Sequence, residues 1–130
     1  MIINTADPVR NSDILPPAVA HVGVDGELAN APGMMMGRVV LPAGSRTQRQ
    51  FSVNSDFALF IVEGAGELLT GPAHAAEKDT FEEKDFVFIE RGEIFTIANT
   101  SDAACTIVFT LVGANTVEEI DRQFVEAPLT

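Results

Sequence analysis

Three stretches of the chain are apolar at almost every position, without alternation between apolar and polar residues. They cover residues 57–62, 86–89 and 107–112. A strand with one face in water alternates, whereas a short continuous apolar run is typical of a strand covered on both faces. Each stretch is therefore predicted to be a strand with one face toward an interior. The other face is predicted to meet a second sheet, an N-terminal arm or a second subunit, and the last alternative predicts a homodimer.

Turn-forming residues divide the rest of the chain into further predicted elements. Strands are expected at Ala18–Val24 and Gly37–Leu41, and a polar strand with Gln48, Gln50 and Ser52 follows the turn at 42–44. Residues 70–80, with Gly-Pro and a charged cluster, are predicted to be a surface turn. The three methionines at 34–36 are either core filler, a contact with the N-terminal arm or a deformable wall for an apolar ligand.

The two ends of the chain have patterns of their own. Residues 1–17 contain three prolines and no sustained period, which indicates an arm that lies across the domain. Thr116-x-x-Glu119 is a capping-box pattern, and apolar residues up to Phe124 follow at helical spacing. This pattern predicts a short C-terminal helix.

Two segments carry a resemblance to a known family. The first runs from Gly44 to Gly64, and the second contains Gly92 and Asn99. Both frames resemble the two motifs of the cupin superfamily. The resemblance implies an all-β fold, a single-domain jelly-roll β-barrel or sandwich, here with the short C-terminal helix. Within one domain, we expect an arm and early strand at 1–33, the barrel core at 34–113, and the helix and tail at 114–130.

The chain departs from the family at the residues that carry its chemistry. The resemblance puts the metal ligands of a cupin at Gln50, Ser52, Phe57 and Phe95, and Glu90 at the position of a turn proline. Phenyl rings cannot coordinate a cation, and divalent transition metals prefer imidazole, thiolate or carboxylate ligands. We therefore expect no metal site and no cofactor.

Strand parity predicts which side chains line the interior. If Gln50 and Ser52 point inward, alternation puts Gln48 on the same face of their strand. By the same rule, apolar residues of the strands at 57–62 and 95–97 point into the same interior. The register of the 34–41 strand is open, so its inward residues are less constrained. The expected ligand-binding residues are Met36, Arg38, Gln48, Gln50, Ser52, Phe57, Leu59, Phe95 and Ile97. Apolar walls with a few polar groups are typical of a small-molecule site, and a barrel filled by its own side chains is the alternative.

Composition excludes several classes of partner. The chain has 130 residues, with 19 acidic and 8 basic side chains and a net charge of -11. Nucleic acids and anionic membranes need a basic surface, so neither is expected as a partner. A single cysteine, Cys105, excludes a disulfide scaffold, and no apolar run has the length of a membrane helix. A cytoplasmic location is the expectation.

Three functions follow from these observations. The first is a metal-free cupin that binds a small, largely apolar molecule at the position of the metal. The second is a metal-independent isomerase, cyclase or lyase, with His21 or Glu90 as candidate acid-base groups for a small-molecule substrate. The third is a structural dimerisation domain with a filled barrel. The sequence does not decide between enzyme and binding module.

Overall fold

The computed structural model describes residue 2 and residues 10–29 and 32–125, apart from the side chains of residues 10 and 73. The described residues form two antiparallel sheets that pack face to face, so the all-β, single-domain architecture predicted from sequence is confirmed. The strands are β1 (Arg10–Leu15), β2 (Ala18–Val24), β3 (Met34–Leu41), β4 (Gln50–Ser52), β5 (Asp56–Glu63), β6 (Gly66–Thr70), β7 (Glu77–Phe81), β8 (Phe86–Ile89), β9 (Phe95–Ala98), β10 (Cys105–Val112) and β11 (Arg122–Phe124). The first three strands belong to one sheet, and from β3 onward the chain crosses repeatedly between the two sheets, with β6 and β7 following each other in the second.

The two sheets differ in size. The six-stranded sheet has the order β1-β2-β3-β10-β5-β8, and the five-stranded sheet has the order β11-β4-β9-β6-β7. Their inner faces form one apolar core, because alternate side chains along each strand point inward. On β10, Ile107 and Phe109 are buried, whereas their neighbours Val108 and Thr110 are partly exposed. The predicted strands at 18–24, 57–62, 86–89 and 107–112 are all present.

Close packing in the core explains why position 37 is a glycine. Gly37 on β3 pairs with Phe109 on β10. A Cβ atom at Gly37 would lie 2.4 Å from the carbonyl oxygen of His21 and 2.7 Å from the ring of Phe109. The large ring therefore needs the smallest residue opposite it, and this pair fixes β3 against the core.

The N-terminal strand closes one seam between the sheets. The amide of Gln48 donates a hydrogen bond to the carbonyl of Pro16 over 2.6 Å. The Arg122 guanidinium contacts Asp13, whose carboxylate lies 3.1 Å away. Residues 10–15 of the expected arm form β1, which pairs with β2 in a hairpin and joins the six-stranded sheet. Residues 1 and 3–9 of the expected arm lie outside the described residues.

The predicted C-terminal helix is a single 3-10 turn at Glu118–Ile120. Asp121 adopts a left-handed conformation with φ of 56°, which ends the turn, and β11 then pairs with β4. The Glu119 carboxylate does accept a bond from a preceding amide, that of Asn115, over 2.9 Å. The turn is capped by Val117 without a side-chain hydrogen bond, so the predicted capping box does not form, and Phe124 belongs to a strand.

The predicted surface turn at 70–80 is shorter than expected. Residues 77–81 form β7, the edge strand of the five-stranded sheet. Its first four residues are charged or polar and exposed. Charged side chains are common on edge strands because they oppose pairing with other chains, and such a strand resembles a loop in sequence.

Candidate functional site

The four positions that correspond to cupin metal ligands lie inside the barrel. Gln50 and Ser52 point inward from β4, and Phe57 points inward from β5. Gln50 pairs with Phe95 on β9. The rings of Phe57 and Phe95 contact each other edge to face, with centroids 5.3 Å apart, which is a favourable aromatic geometry. All four residues have at most 3% of their surface exposed, so protein side chains fill the space around them.

These residues do not fit a metal ion. The two phenylalanines offer no donor atom, and the amide and hydroxyl oxygens of Gln50 and Ser52 are neutral. Among residues 10–29 and 32–125, no group of three or more His, Cys, Asp or Glu side chains is placed to hold a metal. No reaction step through a metal can therefore be derived from these side chains.

Gln50 and Ser52 are polar groups in an apolar interior. The Gln50 side-chain amide donates a hydrogen bond to the carbonyl of Ile14 on β1 over 3.1 Å. Its oxygen Oε1 and the Ser52 hydroxyl have no partner within the described part of the chain. Gln50 therefore ties β4 to β1, and the two oxygens remain as acceptors for a buried water or a small polar group.

Other predicted ligand-binding residues divide into two groups. Leu59 and Ile97 point into the core, with 3% and 1% exposure. Met36 and Arg38 point to solvent, because Met35 and Val39 are the inward residues of β3. The expected inward orientation of Met36 and Arg38 is wrong, since three successive methionines contain no parity signal. Gln48 is also exposed, because it precedes β4 in an irregular segment.

The two candidate acid-base residues do not reach the interior. His21 lies on the outer side of β2, and its Nδ1 is 2.9 Å from the side-chain oxygen of Asn11. Glu90 is exposed between β8 and β9. Burial raises the pKa of the nearby Glu93 carboxyl, and the charges of Glu90 and other acids add to this effect. His21 and Glu90 are therefore separate surface groups rather than one catalytic pair.

Two further titratable groups have structural roles. Arg91 donates hydrogen bonds to Asp56 from its backbone amide and guanidinium at 2.8–3.2 Å, and these bonds lower the pKa of the Asp56 carboxyl. Burial raises the pKa of the Cys105 thiol, which disfavours the reactive thiolate.

The most unusual surface of the molecule is the solvent side of the six-stranded sheet, which we call the outer face. The apolar runs predicted that this side of β5, β8 and β10 would be covered, but they singled out no residue there as part of an interface. Two rows of paired residues cross the outer face from β3 through β10 and β5 to β8. Phe86 is 83% exposed and Phe88 is 63% exposed, and the Phe86 ring lies 5.0 Å from that of Phe60. The spacing Phe-x-Phe in a strand was the available signal. The rows are Arg38, Val108, Phe60 and Phe86, and Met36, Thr110, Ala58 and Phe88.

Several cavities open to the surface of the described structure. Four of them have volumes of about 240 to 490 Å³, and none is lined by Gln50, Ser52, Phe57 or Phe95. In the same residues, no helix is long and apolar enough to span a bilayer. The candidate functional surfaces are therefore the outer face and the surface cavities.

Solved structures share this architecture. A double-stranded β-helix domain protein of Klebsiella pneumoniae is 12% identical, with a TM-score of 0.72 and 96% of each chain covered. A variant of PAC13 from Streptomyces, determined with uridine, is 16% identical, with a TM-score of 0.73, 98% of this chain and 91% of that chain covered. PAC13 is described as a nucleoside dehydratase. The cupin domain of Schizosaccharomyces pombe Cnp3 is 17% identical, with a TM-score of 0.66, 83% of this chain and 69% of that chain covered.

Sequence comparison adds no closer relationship. No protein-family model matches the chain, and no curated protein matches it. The structural similarity extends over nearly the whole chain in two of the three proteins above. The frame at 44–64 contains β4 of the five-stranded sheet and β5 of the six-stranded sheet, and residues 92–99 contain β9, which pairs with β4. The chain therefore has the cupin fold, the double-stranded β-helix.

Proposed function

We propose that this chain is a non-catalytic cupin-fold module that dimerises, with the barrel interior as a packed core and the outer face as the contact between two copies. One observation carries the proposal: the exposed aromatic and aliphatic side chains of the outer face. Apolar surface of this extent in one patch is typical of an interaction site rather than of a monomer in water. The buried Phe57–Phe95 contact supports a structural role for the interior.

The size of the outer face suits a dimer. Six strands about 4.8 Å apart, each rising about 3.3 Å per residue, give this sheet an area of roughly 600 Å². Two copies would then bury roughly 1,200 Å², which is near the lower limit of the range for specific, stable complexes. The area is therefore sufficient for association without any further contact.

The charge distribution limits where two copies could meet, and the outer face is the region that allows it. Each copy has a net charge of -11, so two copies repel each other over most of their surfaces. The two central rows of the outer face contain no carboxylate. Arg38, His21 and Asn11 lie toward the β1 edge and provide a polar rim beside an apolar centre, which is the usual organisation of an interface.

The test compares two sets of exposed phenylalanines. The double variant Phe86→Ser and Phe88→Ser removes the apolar centre, whereas Phe124→Ser removes a 42% exposed phenylalanine from the five-stranded sheet. Sedimentation velocity should show dimers for the wild-type protein and for Phe124→Ser at micromolar concentration. The double variant should raise the dissociation constant at least about 100-fold, as expected when aromatic hot spots are truncated. A monomeric wild-type protein, or a double variant that associates as well as the wild type, would contradict the proposal.

A second candidate is a binding site inside the barrel, and the unpartnered oxygens of Gln50 and Ser52 favour it. A ligand there would need the Phe57–Phe95 contact to open. PAC13, with the same fold, is described with uridine. Titration of the wild-type protein with uridine, followed by NMR, tests this candidate. Saturable shifts at Gln50 and Ser52 would support it, and the absence of shifts there would exclude uridine as a ligand.

A further inference from the structure

The surface cavities include one whose lining is basic and polar in an otherwise acidic protein. It has a volume of about 370 Å³ and lies on the outer side of the five-stranded sheet, near the seam closed by β1. It does not overlap the outer face or the barrel interior. Its lining residues are Pro17, Arg46, Thr47, Gln48, Arg49, Thr96 and Val125.

Two arginines in this cavity lack carboxylate partners in the described structure. The basic residues Lys78, Arg91 and Arg122 each form an ion pair with an acidic side chain. Arg46 and Arg49 form none with any described residue, although the chain has more than twice as many acids as bases. Arg38 and Lys84 also form no ion pair with a described residue, but only Arg46 and Arg49 line the same cavity, so their two charges are available together to a ligand.

One of the two guanidinium groups, that of Arg49, is held in place by a hydrogen bond. The Arg49 guanidinium donates one hydrogen bond to the carbonyl of Gly71 over 3.0 Å. A guanidinium has five N–H donors, so this bond orients Arg49 and leaves donors free. Arg46 and Gln48 are exposed and have no side-chain bond to any described residue. The cavity therefore presents several free donors on one side.

Thr96 provides the second, independent observation. Its side chain lies on the outer side of β9, is 2% exposed and lines the cavity. Its hydroxyl has no hydrogen-bond partner within the described residues. The neighbouring Thr47 differs, because its hydroxyl accepts a bond from the amide of Ile97 over 3.0 Å. A buried hydroxyl without a partner is costly, and a bound acceptor would satisfy it.

We propose that this cavity, which we call the arginine cavity, binds the oxyanion group of a small molecule, a phosphate or a carboxylate. Arg46 and Arg49 supply charge-assisted hydrogen bonds to its oxygens, and the Thr96 hydroxyl donates a further bond. Pro17 and Val125 form the apolar part of the wall and contact the carbon skeleton of the ligand. The site is independent of the proposed dimerisation, since it belongs to the other sheet.

The test uses inorganic phosphate and succinate as probes, each titrated into ¹⁵N-labelled protein against sodium chloride at the same ionic strength. Saturable amide shifts should appear at Thr47, Gln48 and Thr96 with at least one of the two oxyanions. The tighter probe identifies the preferred group. Linear shifts, or equal shifts with chloride, would overturn the proposal.

Variants separate a specific site from general charge attraction. Arg46→Gln with Arg49→Gln should raise the dissociation constant of the bound probe at least about tenfold, the effect of losing charge-assisted hydrogen bonds. Thr96→Val, which keeps the side-chain shape, should raise it about threefold or more. Lys84→Gly is the control, because it removes one charge from the β7–β8 turn at a residue with φ of 74°, where glycine fits without strain. Unchanged binding in the double arginine variant would overturn the site. Oxyanion binding is also measured in the variant with both Phe86→Ser and Phe88→Ser, which lacks the proposed dimer contact. Unchanged binding there shows that the arginine cavity is tested separately from dimerisation.

Discussion

The inner and outer faces of the six-stranded sheet both present large apolar side chains, yet only those of the inner face are buried. Met35 on the inner face is fully buried, whereas its neighbour Met36 on the outer face is 42% exposed. Phe57 and Phe86 differ in the same way, with 1% and 83% exposure. The fold of one chain thus buries the apolar side chains of the inner face only. The apolar side chains of the outer face remain exposed in a single chain. Because a continuous apolar run predicts a strand covered on both faces, these side chains indicate a contact with a second molecule.

The solvent side of the five-stranded sheet presents mainly charged and polar residues instead of apolar ones. Glu67 and Lys78 form an ion pair there, with 3.2 Å between Nζ and Oε2. Its edge strand β7 is charged and polar along most of its length. Such a surface is stable in water and resists pairing with other chains. The solvent side of the six-stranded sheet is largely apolar and that of the five-stranded sheet is largely charged or polar, which is why we propose the six-stranded sheet as the dimer contact.

The largest effect is expected on the inner face. Phe57→Ala removes a ring that contacts Phe95 in the core, and it should lower the free energy of unfolding by about 3–5 kcal/mol. Val53→Ala, at a 45% exposed valine, is the control and should change it by less than about 0.5 kcal/mol. Urea unfolding of both variants, in the Phe86→Ser and Phe88→Ser background, measures the effect on the monomer. A loss below about 1 kcal/mol for Phe57→Ala would mean that the interior is not a packed core.

A smaller effect is expected at the edge of the outer face, where Arg91 bonds Asp56 and so holds the turn after β8 to the start of β5. Because the folded-state pKa of Asp56 is lowered, its contribution to stability is present above the pKa of the unfolded chain. That contribution is lost as the pH falls through the folded-state pKa. Asp56→Asn should therefore be slightly less stable than the wild type at pH 7, and the difference should disappear in acid.

The same unfolding experiment at several pH values checks this prediction. Asp102→Asn makes the same chemical change at an exposed residue in the loop before β10, and it serves as the control. A difference between Asp56→Asn and the wild type that is independent of pH would show that the carboxylate charge is not responsible. The pair is exposed, with 48% of the Arg91 side chain and 27% of the Asp56 side chain accessible, so the effect is expected to be small.

Most of the fold could be predicted from the sequence, because apolar runs and turn residues mark strands directly. The strands at 18–24 and 86–89 begin and end as predicted. The errors fall where local and long-range signals conflict. At 116–124 a capping pattern suggested a helix, but pairing of β11 with β4 determined the structure. At 77–81 an edge strand had the composition of a loop.

The candidate sites were less accessible to prediction. Inward positions of β4, β5 and β9 followed from the motif frame, and Gln50 and Phe95 do lie together. The orientation of β3 did not follow, because its apolar run has no parity and the register is fixed by contacts such as Gly37 with Phe109. The arginine cavity joins Arg46 to Thr96 across 50 residues, and no local pattern marks that contact. Long-range pairing is the information that a single sequence lacks.

One measurement tests the central claim most directly, and it uses the reactivity of a cysteine on the outer face. The chain has a single cysteine, Cys105, which is buried and has a raised pKa, so an introduced thiol dominates the reaction. Ala58→Cys places a thiol between Thr110 and Phe88 in the centre of the outer face, and Val53→Cys places one on an exposed loop. Both react with a soluble disulfide reagent.

The account predicts that the thiol of Ala58→Cys reacts slowly at high protein concentration and faster on dilution, as dimers dissociate. The thiol of Val53→Cys should react at the same rate throughout. Adding Phe86→Ser and Phe88→Ser should abolish the protection at Ala58→Cys. If Ala58→Cys reacts as fast as Val53→Cys at every concentration, the outer face is not buried between two copies and the account is contradicted.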